Sequence, residues 1–115
     1  MELTVQQLTP DFCVAPQLTP DTMAALAAAG FKSVINNRPD FEGGPDQPTS
    51  EQVRVAAEAV GLVYHHLPVQ GGYQSPEEIA AMRALLDEAP KPVLAFCRSG
   101  ARSTRLFASA MQLDA

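Results

Sequence analysis

The sequence has few cysteines, few basic residues and no long apolar run, and each shortage excludes a class of protein. Two cysteines in 115 residues are too few for a disulfide scaffold. Eight Lys and Arg against 13 Asp and Glu give a net charge of −5, which disfavours nucleic acid and membrane surfaces as partners. No apolar run approaches a membrane span, and the first residues lack the basic start of a signal peptide, so we expect a cytoplasmic protein.

Strand-like and helix-like patterns alternate along a chain with 46% apolar residues, which predicts one α/β domain over residues 1–115. Expected helix starts are an N-cap at Thr19 and capping boxes from Thr49 and Ser75. Predicted strands cover residues 3–6, 12–15, 31–36, 62–67 and 93–96, and helices end near residues 30, 60, 88 and 111. This alternation implies a three-layer fold, a mostly parallel sheet flanked by helices.

Ligands of such sheets bind at the carboxyl ends of strands, here residues 36–48, 68–75 and 97–102. The last of these belongs to the stretch LAFCRSGARS, where Cys97 stands between a predicted strand and a helix. Free N–H groups and the helix dipole at that junction, together with arginines, lower the pKa of a thiol. The pattern favours a thiolate nucleophile in an anion-binding loop over a buried, inert cysteine ahead of solvated arginines.

The candidate catalytic residues are Cys97, Arg102 and Ser103, because an arginine fork can hold an oxyanion and a hydroxyl can assist a thiolate. Candidate anion-binding residues are the rest of the loop and the end of another strand, namely Arg98, Ser99, Gly100, Ala101, Asn37 and Arg38. For Asn37 and Arg38 the alternative is an exposed asparagine turn beside a solvated arginine. The acidic residues of the same segment, Asp40, Glu42 and Asp46, are expected to face solvent.

No metal and no cofactor are expected. The adjacent His65 and His66 point to opposite faces of a predicted strand, and no third ligand has suitable spacing. One of them is expected in the core, with orientation of the cysteine loop by His66 as the alternative. The expected ligand is therefore a small anion.

Three segments, INNRPD, YHHLPV and CRSGARS, occur in that order over nearly the whole chain. They resemble the beta-lactamase-hydrolase-like phosphatase-like domain family. This resemblance implies a fold similar to dual-specificity phosphatases and a reaction that is either phosphate hydrolysis or sulfur transfer. It also implies a persulfide dioxygenase-type enzyme as a partner.

Two departures from the phosphatase pattern favour sulfur transfer. Tyrosine and dual-specificity phosphatases carry C-x5-R, whereas Arg102 gives C-x4-R, as in the rhodanese loop, and Ser103 stands at the phosphatase arginine. Gln70 stands where those phosphatases usually place the acid that protonates the leaving group. We therefore expect a Cys97 persulfide formed from thiosulfate or another persulfide. The first alternative is a phosphatase acting on a phosphoester through a phosphocysteine, and the second is a non-catalytic module that binds an anion or a partner.

Overall fold

Short strands alternate with helices in the computed structural model, which describes residues 4–113. The strands are β1 (Gln6–Thr9), β2 (Phe12–Ala15), β3 (Ser33–Asn36), β4 (Val63–His66) and β5 (Val93–Phe96). The helices are α1 (Met23–Ala28), α2 (Ser50–Ala59), α3 (Pro76–Glu88) and α4 (Ala101–Met111), and a 3₁₀ turn, Pro20–Thr22, precedes α1.

The strands form one mixed sheet in the order β1-β2-β5-β3-β4. β2, β5, β3 and β4 run parallel, and β1 pairs antiparallel with β2 at the edge. The prediction of a mostly parallel sheet is confirmed. Ala15 and Asn36 both pair with Phe96, so the three central strands end at the same level. The segments that follow them therefore meet along one edge of the sheet.

Helices cover both faces of this sheet, as predicted. Along β5 the buried side chains alternate: Val93 and Ala95 pack in the core under α3 and α4, and Leu94 and Phe96 pack in the core under α1 and α2. Because successive residues of a strand point to opposite faces, a central strand buried on both sides has to be apolar throughout. The residue after β5 is Cys97, which thus lies at the middle of the sheet's carboxyl edge.

The local signals had mixed outcomes. The capping boxes at Thr49 and Ser75 are present, with reciprocal side-chain and backbone hydrogen bonds to Gln52 and Glu78. The prediction for Thr19 is wrong, because its hydroxyl caps nothing and its carbonyl instead accepts the hydroxyl of Thr22 at 2.6 Å, at the 3₁₀ turn. The strand predicted at residues 3–6 is also misplaced: β1 begins at Gln6, and Leu3 lies outside the described residues.

Over residues 4–113, none of the helices combines the length and the apolarity that crossing a bilayer requires. In the same part of the chain no three His, Cys, Asp or Glu side chains come together as a metal site would need.

Candidate active site

The thiol of Cys97 is buried and faces the turn between β5 and α4. Gly100 is the N-cap of α4 and has a φ of 94°, in the left-handed region where glycine has no Cβ penalty. That turn directs the backbone N–H of Gly100 onto the sulfur, with the nitrogen 3.1 Å from Sγ. The sulfur therefore accepts a hydrogen bond at the positive end of a helix, as an anion in this position would.

Opposing effects act on the pKa of Cys97, and the net result is a lowered pKa. Burial raises it, because a thiolate loses hydration away from water. Hydrogen bonds from the backbone and hydroxyl of Ser103, and from the N–H groups of Gly100 and Ser99, outweigh that effect. A lowered pKa makes the ionised, nucleophilic form of the cysteine available at neutral pH.

Ser103 links the thiol to the neighbouring strand. Its hydroxyl donates to Oδ1 of Asn37 at 2.8 Å, and the amide nitrogen of Asn37 donates to the carbonyl of Leu67 at 3.0 Å. Ser103 and Asn37 are both fully buried. Asn37 thus reaches the cysteine loop through Ser103, and its place in the structure is that of a support for the loop.

Arg102 lies on the first turn of α4 with only 9% of its side chain exposed. Nη1 donates to the carbonyl of Val69 at 3.0 Å, and Nη2 donates to Oε1 of Glu42 at 3.0 Å. Within the described part of the chain, the buried Nε–H has no hydrogen-bond partner. An orphaned, charged donor beside a thiol is costly unless an anion completes it.

Arg38 joins the same cluster through one shared carboxylate. Its Nε donates at 2.9 Å to the Glu42 oxygen that also accepts from Arg102, and its Nη1 donates to Gln17 at 3.0 Å. Desolvation raises the pKa of Glu42, but hydrogen bonds from the two guanidinium groups outweigh it and lower that pKa. The prediction that Glu42 faces solvent is therefore wrong, and sequence analysis missed this residue.

The remaining loop residues lie at the surface. Arg98 and Ser99 are exposed, and the carbonyl of Arg98 accepts the backbone N–H of Gln17 at 3.2 Å. Ala101, also exposed, begins α4, and its N–H donates to the hydroxyl of Ser99 at 3.4 Å. These three residues shape the outer side of the turn, whereas Cys97 and Ser103 form its inner side.

The residues after β4 carry no carboxyl group near the thiol. Gln70 stands between Val69, which binds Arg102, and Gly71, where an added Cβ would lie 3.3 Å from Nη2 of Arg102. Asp40 accepts the N–H of Ser50 at 2.7 Å and so serves the start of α2. His66 contacts the carbonyl of Arg38 through Nε2 at 2.9 Å, which ties β4 to the segment that carries Glu42.

Comparisons with known proteins agree with this geometry. The sequence profile of the family described as beta-lactamase hydrolase-like protein, phosphatase-like domain, matches residues 4–113. A beta-lactamase hydrolase-like protein of Agrobacterium fabrum is 41% identical over 90 residues, which are 78% of this chain and 21% of that protein. The chain thus spans about a fifth of the length of this curated relative.

Solved structures show the same fold. A candidate phosphatase from Neisseria meningitidis Z2491 superimposes with a TM-score of 0.81 at 34% identity, over 88% of this chain and 71% of that one. A kinase-associated phosphatase whose catalytic-site cysteine was replaced by serine matches with a TM-score of 0.65 at 13% identity, over 90% and 68% of the two chains. The fold similar to dual-specificity phosphatases is confirmed; these matches lend no support to a rhodanese.

Proposed function

This chain belongs to the phosphatase-like domain family of beta-lactamase hydrolase-like proteins, and we propose that it is a cysteine-dependent phosphatase. The observation that carries the proposal is the sulfur of Cys97, which accepts the N–H of Gly100 at the start of α4 beside a buried arginine with a free Nε–H. This arrangement suits an incoming phosphoryl group, whose oxygens take up backbone and guanidinium donors. The similarity to a candidate phosphatase at 34% identity supports the same reaction.

The proposed reaction has two displacements at phosphorus. The Cys97 thiolate attacks the phosphorus atom, a P–S bond forms and the P–O bond to the leaving group breaks. Water then attacks the phosphocysteine, the P–S bond breaks, the water proton passes to solvent and inorganic phosphate leaves. Arg102 neutralises the charge that develops on the phosphoryl oxygens in both steps. Ser103 donates a hydrogen bond to the thiolate as it is released.

The leaving oxygen needs either a proton donor or its own stability as an anion. Residues 68–75 contain no Asp or Glu, and the carboxylate that contacts Arg102, Glu42, is kept ionised by two guanidinium groups. We therefore infer that aryl phosphates, whose phenoxide leaves without a full proton transfer, are hydrolysed much faster than alkyl phosphates. A positioned acid is worth about 10²–10⁴-fold, and alkyl substrates would lose that factor.

Sulfur transfer, the reaction favoured by the C-x4-R spacing, has no support from the comparisons and is kept as the alternative. The cluster of two buried guanidinium groups, Arg38 and Arg102, argues for an anion of higher charge than the outer sulfur of a persulfide. The family's wider proteins are several times longer than this chain. A persulfide dioxygenase-type partner and a cytoplasmic location remain proposals from the sequence.

A paired assay tests the proposal. Wild type and Cys97→Ser are assayed for p-nitrophenyl phosphate hydrolysis and for transfer of sulfur from thiosulfate to cyanide. We expect hydrolysis by wild type only, and a trapped phosphoryl group on Cys97 by intact mass after rapid acid quench. Thiocyanate formation without phosphate release, with one added sulfur on Cys97, would replace the phosphatase by the sulfurtransferase. Absence of both reactions with retained phosphate binding would favour a non-catalytic module.

A further inference from the structure

Above the cysteine loop, one carboxylate joins two buried cations. Oε1 of Glu42 lies 2.9 Å from Nε of Arg38 and 3.0 Å from Nη2 of Arg102. Each arginine side chain is 9% exposed, and that of Glu42 is 28% exposed. The three groups carry a net charge of +1, so the cluster still attracts an anion after its internal pairing.

The guanidinium group of Arg102 is held at both of its terminal nitrogens. Nη1 binds the carbonyl of Val69 and Nη2 binds Glu42, which together define the plane and the rotation of the group. Nε–H is the donor that these two contacts leave over. An arginine that is fixed in this way does not have to search for its orientation when an oxyanion arrives.

The segment that carries Glu42 is held together by its own hydrogen bonds. Gln47, itself buried, accepts the N–H of Gly43 at 2.7 Å and donates to the carbonyl of Pro39 at 2.8 Å. An added Cβ at Gly43 would come within 2.7 Å of Nη2 of Arg38, so the backbone lies directly against that guanidinium group. The carboxylate is therefore presented to Arg102 before any substrate binds.

We propose that Glu42 is a positioning residue for Arg102, whose guanidinium plane it fixes so that the free Nε–H meets a phosphoryl oxygen. The proposal rests on the proposed phosphatase function for its substrate, but the role can be measured without turnover. Glu42 acts through its hydrogen bond to Arg102 and does not supply a proton to the leaving group, because it stays ionised between two cations.

The test compares Glu42→Ala, which removes the acceptor, with Glu42→Gln, which keeps a carbonyl oxygen in its place. Asp46→Asn is the matched control, since Asp46 is an exposed acid on the same segment. With p-nitrophenyl phosphate we expect kcat to fall at least about tenfold in Glu42→Ala, as misplacement of a catalytic group does. KM should change little, because the lost negative charge favours binding of the anion. Glu42→Gln should keep kcat within about threefold of wild type.

A second readout needs no catalysis. Arg102 should bind the carboxylate of iodoacetate, so wild type should be alkylated at Cys97 faster by iodoacetate than by neutral iodoacetamide. We expect Glu42→Ala to lose most of that preference while its reaction with iodoacetamide, which reports the intact N–H groups, stays unchanged. Glu42→Gln and Asp46→Asn should retain the preference.

The outcomes separate the two proposals. If wild type hydrolyses no phosphoester but shows the iodoacetate preference and loses it in Glu42→Ala, the phosphatase proposal fails and the positioning role stands. If Glu42→Ala matches Asp46→Asn in both readouts, or if Glu42→Gln is as impaired as Glu42→Ala, the positioning role is overturned.

Discussion

Ser103 donates its single hydroxyl proton to Oδ1 of Asn37 at 2.8 Å, although its oxygen also lies beside the sulfur of Cys97. The amide of Asn37 is oriented by its own bond to Leu67, so Oδ1 is the atom that faces Ser103. The proton of Ser103 thus has two acceptors. A hydrogen bond to a charged acceptor is stronger than one to a neutral carbonyl, so the proton should turn to the sulfur when that atom is a thiolate.

Ser103→Ala should therefore slow hydrolysis of the phosphocysteine more than its formation. The expected loss in the second step is about tenfold or more, the value of one hydrogen bond to a charged group. Rapid-mixing kinetics with p-nitrophenyl phosphate should then show a burst of nitrophenol before the steady state. Ser109→Ala, on the same helix, should show no burst beyond that of wild type. Equal slowing of both steps would contradict this role.

The lowered pKa of Cys97 predicts how stability depends on pH. In the folded protein the thiol loses its proton below the ordinary value of about 8.5. Between the two pKa values the unfolded chain binds more protons, so the free energy of unfolding rises with pH across that window. This contribution is complete above the unfolded pKa and is lost as the pH falls through the folded one.

Cys97→Ser removes that contribution, and urea unfolding at several pH values measures it. The difference in unfolding free energy between wild type and Cys97→Ser should grow as the pH rises to about 8.5. Cys13→Ser is the control, because burial raises the pKa of Cys13 and its contribution should have the opposite slope. A difference that stays constant with pH would contradict an ionised Cys97.

Gln70→Glu should supply the proton donor that the segment after β4 lacks. Its neighbours Val69 and Gly71 both lie against Arg102, so a carboxyl group at position 70 is within reach of the leaving oxygen. We expect kcat for an alkyl phosphate to rise about tenfold or more, with little change for p-nitrophenyl phosphate. Gln112→Glu, at the far end of α4, is the control. Equal effects on both substrates would argue against general acid catalysis.

Gly100→Ala separates backbone strain from loss of the site. A side chain at a φ of 94° costs about 1–2 kcal/mol. Gly61→Ala is the matched control, with a φ of 84° and open space around the added Cβ. Both variants should lose similar unfolding free energy in urea. Gly100→Ala alone should lose alkylation of Cys97 by iodoacetamide near pH 6, because its N–H turns away from the sulfur. Retained alkylation would show that this N–H is dispensable.

The sequence predicts what depends on neighbours along the chain. β2 and β5 have the predicted bounds, because short apolar runs between turn residues are local signals. The turn at Cys97, Gly100 and Arg102 was likewise visible, since all its parts lie within six residues. β1 was displaced because its register follows from pairing with β2, which a pattern of alternating residues at the edge of a sheet does not determine.

The role of Glu42 depends on contacts between residues far apart in the chain. Asp40, Glu42 and Asp46 look alike as acids in a Gly- and Pro-rich segment, yet Asp40 binds the start of α2 and Glu42 binds two arginines. Arg102 is 60 positions from Glu42, and Ser103 is 66 from Asn37. A single sequence contains no periodicity that reports such pairs. One usable signal was the position of Glu42, four residues after an arginine that ends a strand.

The level ends of β2, β3 and β5 have a consequence for how such a protein can diversify. The thiol and its amide donors belong to a turn anchored in the central strand, whereas the segments at 37–48 and 68–75 leave from the adjacent part of the edge. Insertions or exchanges in those two segments would leave the strand register intact. Selectivity can therefore evolve, or be engineered, by grafting new loops around an unchanged nucleophile.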